Sequence, residues 1–250
     1  MLVNEFHLDT LFFVVELIVA ENDFLSIKKC LKNVVLGCYG CCMQKSNPDF
    51  SIESACGYKV VAGVDEAGRG PLCGPVVAGA VIFPDVHVEI PVVIRDSKQM
   101  TERQRADAYN WIVNNTIWAV AECSPDEIDE MNILWASMLA MRRAVDKLQW
   151  VPDYCLVDGN RLPDGIVGMP VVKGDAKSLS VAAASIIAKE TRDRIMAQLA
   201  QQFPQYGWDK NAGYPTQSHL QAIEKYGINQ HYRQSFGPVK ERIKHENSDN

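Results

Sequence analysis

Tyr58 to Phe83 reads YKVVAGVDEAGRGPLCGPVVAGAVIF. Two apolar runs, YKVVAGV at 58–64 and GPVVAGAVIF at 74–83, have the composition of buried strands, and the glycine-rich turn between them suits a hairpin-like connection. The first run ends on two adjacent acids, Asp65 and Glu66. A carboxylate at the end of a buried strand is costly unless something pairs with it. Arginine is one candidate partner and a divalent cation is the other. Neighbours in a regular strand point to opposite faces, so the two acids can share one site only if the strand ends or bends between them. The AGRG that follows is expected to supply that break.

Downstream the signals alternate. Thr101–Asn115 has helical spacing with Thr101 as N-cap, and IWAVAEC at 117–123 is a third strand. Residues 124–148 open on Ser, Pro and acids, a helix start. YCLVDG at 154–159 and MPVVKG at 169–174 are short strands. A long helix over 178–203 is stopped by Pro204, and a short one over 215–227 ends on Gly227. Strands that first pair by short turns and later alternate with helices predict an α/β fold, a mixed sheet with helices on its faces.

Two further acids, Asp158 and Asp175, also follow apolar runs. Read singly, Asp158 is a turn aspartate and Asp175 a favourable charge at a helix N-terminus. Read together with Asp65 and Glu66, the set matches the oxygen donors that Mg²⁺ prefers. Two such ions ~4 Å apart can activate a water and steady a leaving oxygen in phosphoryl chemistry. The Gly68-Arg69-Gly70 turn is either a tight connection or a bare backbone surface for a sugar or phosphate. Arg95, Ser97 and Lys98 precede a helix start and suit a phosphate or a solvated loop. Lys189 lies one turn from Arg192, and it could equally form an i,i+4 pair with Asp193. Tyr214, between Gly213 and Pro215, either stacks on a sugar or base or pins its loop. His219 is read as structural.

The chain has 250 residues, 47% hydrophobic and 22% charged, with a net charge of -6. That balance opposes a wholesale basic nucleic-acid binder but leaves room for a local basic face. Cys30, Cys38, Cys41 and Cys42 crowd the N-terminal segment without a second ligand pair at zinc-finger spacing, and Cys56, Cys73, Cys123 and Cys155 stand singly. Thiols of this kind point to a reducing, cytoplasmic setting. The run LFFVVELIVA at 11–20 holds Glu16 and lacks a basic leader, so neither a membrane span nor a secretory signal is expected. The polar stretch 43–57 reads as a linker.

The segments GVDEAGRGPLCGPVVAGAV, DSKQMTERQR, LVDGN, VVKGDAKSLSVAAASIIAKETRDR, AGYPTQSH and HYRQSFGPV resemble ribonuclease HII of the bacterial type, in order and spacing. The resemblance runs from about Tyr58 to Lys240. It implies an RNase H-like mixed five-stranded sheet flanked by helices, with a C-terminal helical subdomain from about residue 204. It implies hydrolysis of RNA in RNA–DNA hybrids and of single ribonucleotides in duplex DNA, cut 5′ of the ribonucleotide at the junction to leave 3′-hydroxyl and 5′-phosphate ends. Carried over, the metal-binding carboxylates are Asp65, Glu66, Asp158 and Asp175, holding two Mn²⁺ or Mg²⁺ ions. The junction reader is Gly68, Arg69 and Gly70, and Tyr214 stacks on the following deoxyribose. Lys98, Lys189 and Ser97 are added as phosphate contacts. A monomer is expected, and the sliding-clamp contact that the family allows has no motif here. Residues 1–57 have no counterpart in the pattern, so Met43 is expected to be the true start, the catalytic domain to span 58–240 and 241–250 to be a polar tail. The competing readings are a phosphodiesterase that uses the same acids on all-DNA substrates, and a hybrid-binding module without activity.

Overall fold

A computed structural model describes residues 47–248. The apolar run at 11–20, the first four cysteines and Met43 lie outside the described residues. Strands β1 (Val61–Ala67), β2 (Val76–Ile82), β3 (Ile117–Cys123), β4 (Tyr154–Asp158) and β5 (Gly168–Val171) form one sheet in the order β3-β2-β1-β4-β5. β2 runs antiparallel to both β1 and β3, whereas β4 and β5 continue parallel from β1. This is the mixed five-stranded sheet expected from the sequence.

Helix α1 (Ser51–Ala55) precedes the sheet; α2 (Glu102–Asn115), α3 (Pro125–Asp146) and α4 (Leu179–Gln202) flank it. The period-2 alternation of the strands sorts the core into two layers. Ala62, Val64, Ala78, Ala80, Ala119 and Ala121 pack against α3. Val81 faces α2 and α4 on the other side. Thr101 and Ser124 each complete a reciprocal capping box, with Gln104 and Glu127, as their positions before the helices require. Every residue from Leu179 to Ala188 is buried, so the first turns of α4 are apolar all round rather than amphipathic. The helix comes this close because β1 and β2 carry glycines under it. A Cβ on Gly63 would lie 2.1 Å from the Ser180 carbonyl carbon, and one on Gly79 would lie 2.6 Å from the Ala184 oxygen.

After Pro204 the chain builds a smaller helical part: a 3₁₀ turn at Pro204–Tyr206, then α5 (Trp208–Asn211), α6 (Gln217–Tyr226) and α7 (Gly237–Ser248). Two stretches depart from expectation. Residues 241–248 continue α7 instead of forming a polar tail, because Val239 and Ile243, one turn apart, enter the C-terminal core. Residues 47–57 are no free linker either. Asp49 bridges Ser178, donating its N–H to the Lys177 carbonyl and accepting from the Leu179 N–H. Glu53 is buried, and its Oε1 accepts from the Ser178 hydroxyl at 2.7 Å, the Ser180 N–H at 2.9 Å and the Ser180 hydroxyl at 2.7 Å. A carboxylate buried at a helix N-terminus meets both orphan donors and the positive end of the dipole.

Replacing Glu53 by Ala strands those donors. Glu53→Ala should therefore lower the unfolding free energy by about 2–4 kcal/mol, read from urea denaturation, with Glu53→Gln recovering part of the loss.

Candidate catalytic site

Strands β1 and β4 run parallel, and their last paired residues are Val64 and Val157. One step further, Asp65 and Asp158 stand just past the end of this parallel ladder, Asp158 as the last residue of β4, on the side where open α/β sheets build their sites. Asp175 reaches the same place from the 3₁₀ turn Gly174–Ala176, between β5 and α4. The Gly174 N–H donates to Asp158 Oδ1 at 2.7 Å and ties that turn to β4. The expected break between Asp65 and Glu66 is absent. Pairing with β2 continues unbroken through Asp65–Gly79, Glu66–Ala78 and Ala67–Val77. The bend falls at Gly68, whose φ is +96°. Asp65 therefore points inward, 5% exposed, while Glu66 stays partly buried at the rim.

The acids lie within electrostatic reach of one another. Burial holds the Asp65 carboxyl well above the usual carboxylate range, and the charges of Glu66, Asp158 and Asp175 push it the same way. Burial also raises Glu66; Arg69 opposes the rise and Asp158 adds to it. Asp175 is raised by burial, then by Asp96 and Asp158, with Lys98 opposing. Burial alone would lower Lys98, but Asp65, Asp175, Asp96 and Asp158 outweigh it and raise the ammonium. These groups act on one another as a single cluster.

Each acid also has a local hold. Asp65 Oδ1 accepts the Glu66 N–H at 2.7 Å, and Glu66 Oε1 faces Arg69 Nη1 at 3.4 Å. Among the described residues no three His, Cys, Asp or Glu side chains already stand as a ligand set around one point. The donor set itself, hard oxygens held at strand ends with one of them deeply buried, fits a divalent cation of the Mg²⁺ or Mn²⁺ type.

The supporting residues divide. Lys98 faces the acids. Ser97 does not, because its hydroxyl is buried and shares a hydrogen bond with Ser185 Oγ at 2.8 Å, pinning the loop to α4. Lys189 is ion-paired with Asp193 on the next turn, the alternative already visible in its spacing. Asp96 was missed. It caps the 3₁₀ turn Ser97–Gln99 and bears on both Asp175 and Lys98; its position beside Ser97 and Lys98 was the available signal.

The turn at 68–75 is held from below by two buried arginines. Arg192 donates to the carbonyls of Pro75, Cys73 and Ala212 at 3.1–3.2 Å. Arg233 donates to Gly74, Arg69, Pro71 and Gly68 at 2.7–3.1 Å. With those carbonyls drawn inward, the N–H groups of Arg69 and Gly70 meet no acceptor among the described residues. Tyr214 leans on the same turn, its Cε1 3.3 Å from where a Cβ on Gly70 would sit, and the residue is 46% exposed.

Carboxylates at the ends of parallel strands, a lysine over them and an exposed backbone turn beside them define a metal-dependent nuclease of the RNase H-like class. The ribonuclease HII family model matches residues 62–239, and the chain belongs to that family. Ribonuclease HII of Magnetococcus marinus is 53% identical over 207 residues, covering 79% of this chain and 96% of that one. Ribonuclease H2 of Pyrococcus horikoshii has a similar structure, with TM-score 0.63 and 30% identity over 74% of this chain and 98% of that one. The ribonuclease HII of Archaeoglobus fulgidus, solved in complex with PCNA, gives TM-score 0.62 and 25% identity over 71% and 95%. The chain is thus a metal-dependent endoribonuclease of RNA–DNA hybrids, a hydrolase that leaves 5′-phosphates.

Two outcomes follow from this geometry. An added Cβ at Gly68 would lie 2.1 Å from Arg192 Nε and would require a left-handed φ. Gly68→Ala should cost at least about 1 kcal/mol in thermal or urea unfolding. Acids with raised values bind protons more tightly in the folded than in the unfolded chain, so their contribution to stability falls as pH rises above about 4. In metal-free buffer Asp65→Asn should therefore gain stability relative to the parent protein as pH increases, measured by paired melting curves.

Proposed function

We propose that this chain cuts the RNA strand of hybrids, and single ribonucleotides embedded in duplex DNA, on the 5′ side of the ribonucleotide at the RNA–DNA junction. Asp65, Glu66, Asp158 and Asp175 would hold two divalent cations, Mg²⁺ or Mn²⁺. The observation that carries this reading is the buried Asp65 beside Asp158 at the strand ends, with Glu66, Asp175 and Lys98 within electrostatic reach. Bound there, the cations would supply an acidified water and a counter-charge for the departing 3′-oxygen. Lys98 balances part of the anionic charge and lies where a phosphate oxygen can meet it. Ser97 and Lys189 act at one remove, through the loop and through Asp193.

The choice of ribose needs a partner for its 2′-hydroxyl, the group that separates RNA from DNA. The Arg69 and Gly70 N–H groups can donate to it, and no side chain at Gly68 or Gly70 crowds the approach. Tyr214, packed over the same turn, offers its exposed face to the next sugar. A second 2′-hydroxyl there would meet the ring, which favours a deoxyribose at that position. The protein is read as a cytoplasmic monomer. Cys56, Cys73, Cys123 and Cys155 are free thiols, and no helix among the described residues is long and apolar enough to cross a membrane. The PCNA complex belongs to the Archaeoglobus protein, and no clamp motif in this sequence extends it here.

The test is a DNA duplex carrying one ribonucleotide, incubated with Mg²⁺, with Mn²⁺ and with chelator. A single cut 5′ of the ribonucleotide is expected, lost with chelator and reduced about a hundredfold or more by Asp65→Asn. Cutting of an all-DNA duplex would instead favour a general phosphodiesterase.

A further inference from the structure

Beneath Tyr214 lies a buried polar group that the cleavage reaction does not use. His219 and Trp208 are 0% exposed and Tyr232 is 1% exposed. Trp208 Nε1 is 3.0 Å from His219 Nε2, and the Tyr232 hydroxyl is 2.8 Å from the same nitrogen. An indole N–H only donates, so Nε2 must accept and carries no proton. The ring proton then sits on Nδ1, which lies 2.9 Å from the Tyr214 carbonyl oxygen. The histidine is therefore a donor to the backbone of the residue whose ring faces the substrate.

The rest of that loop is fixed in the same way. The Ala212 carbonyl accepts from Arg192, the Gly213 carbonyl from the Leu72 N–H at 2.8 Å, and the Tyr214 carbonyl also from the Thr216 N–H at 2.8 Å. Three successive carbonyls are anchored below, while the Tyr214 ring stands in the open above Gly70. A ring that discriminates by contact must not drift, and a displacement of about 1 Å in a positioning group can cost a hundredfold in rate.

We propose that His219 is a positioning residue that, as the Nδ1–H tautomer, anchors the Tyr214 carbonyl and so sets the preference for a deoxyribose after the ribonucleotide. This inference rests on the reading of Tyr214 given above. Burial lowers the proton affinity of His219, while its bond to Tyr214 opposes that effect, and the neutral ring agrees with the donor arrangement.

The measurement is the ratio of kcat/KM for a single ribonucleotide in DNA over that for a continuous RNA–DNA hybrid. A general loss of packing lowers both activities and leaves the ratio alone. Tyr214→Ala should lower the ratio. His219→Gln, which offers an acceptor toward Trp208 but no donor at the Nδ1 position, should lower it about tenfold or more. His219→Asn, whose amide N–H replaces Nδ1–H, should stay within about twofold of the parent. If Tyr214→Ala lowers the ratio and a folded His219→Gln does not, the role of His219 is overturned and that of Tyr214 stands. If Tyr214→Ala leaves the ratio unchanged, both fall together. Should the variants fail to fold, the parent protein labelled with ¹⁵N in its imidazoles decides the matter. Nitrogen shifts of the Nδ1–H tautomer at neutral pH support the anchor; those of an Nε2–H tautomer or an imidazolium overturn it.

Discussion

Six carbonyl oxygens of the 68–75 turn, two bound by Arg192 and four by Arg233, are gripped from inside the protein. Neither arginine has a carboxylate in contact among the described residues; their charge is solvated by peptide dipoles. Burying a guanidinium without an anion is unfavourable unless its fork of N–H groups is satisfied, and the turn satisfies it. The dependence runs both ways. Two prolines and two left-handed glycines, Gly68 and Gly74, would not hold one shape over eight residues without the arginines, and burial with a second guanidinium nearby pushes Arg233 down to about 9. Because the carbonyls face in, the amides of Arg69 and Gly70 face out, and the recognition surface is a by-product of how the arginines are buried.

The acids follow the opposite logic. They are brought together by strand register and by the close seat of α4 over Gly63 and Gly79, and nothing inside the protein neutralises them fully. Lys98 offsets part of the repulsion, and Arg69 offsets part of it at Glu66. Burial first, and then the remaining repulsion, raises the proton affinity of Asp65, Glu66 and Asp175. A site of this kind is stabilised by whatever cation enters it, which makes stability and ligand binding two aspects of one interaction.

Much of this was legible in the chain. β3 coincides with IWAVAEC because that run is uninterrupted and bounded by turn formers, and the capping boxes at Thr101 and Ser124 start their helices where the polar signals stand. The four acids could be singled out because each follows an apolar run. Other features lacked a local signal. β1 runs on past Asp65, since the pairing of β2 with Glu66 and Ala67 overrides the break that a following glycine suggests. Glu53 reads as a surface acid, and only the Ser178 and Ser180 donors, more than a hundred residues away, explain its burial. Arg192 and Arg233 look like solvated charges, and Ser97 like a free hydroxyl; the fold alone turns them inward.

The N-terminal strap has a practical consequence. The family model matches the chain from Ala62 to Val239. A fragment trimmed to those limits would leave the first turn of α4 without its acidic lid and would cut α7 after its third residue. Both scars would open directly onto the segment that carries Asp175 or onto the aromatic nest around Trp208. The smallest piece worth expressing is therefore wider than the homologous one, from Asn47 through the last turn of α7.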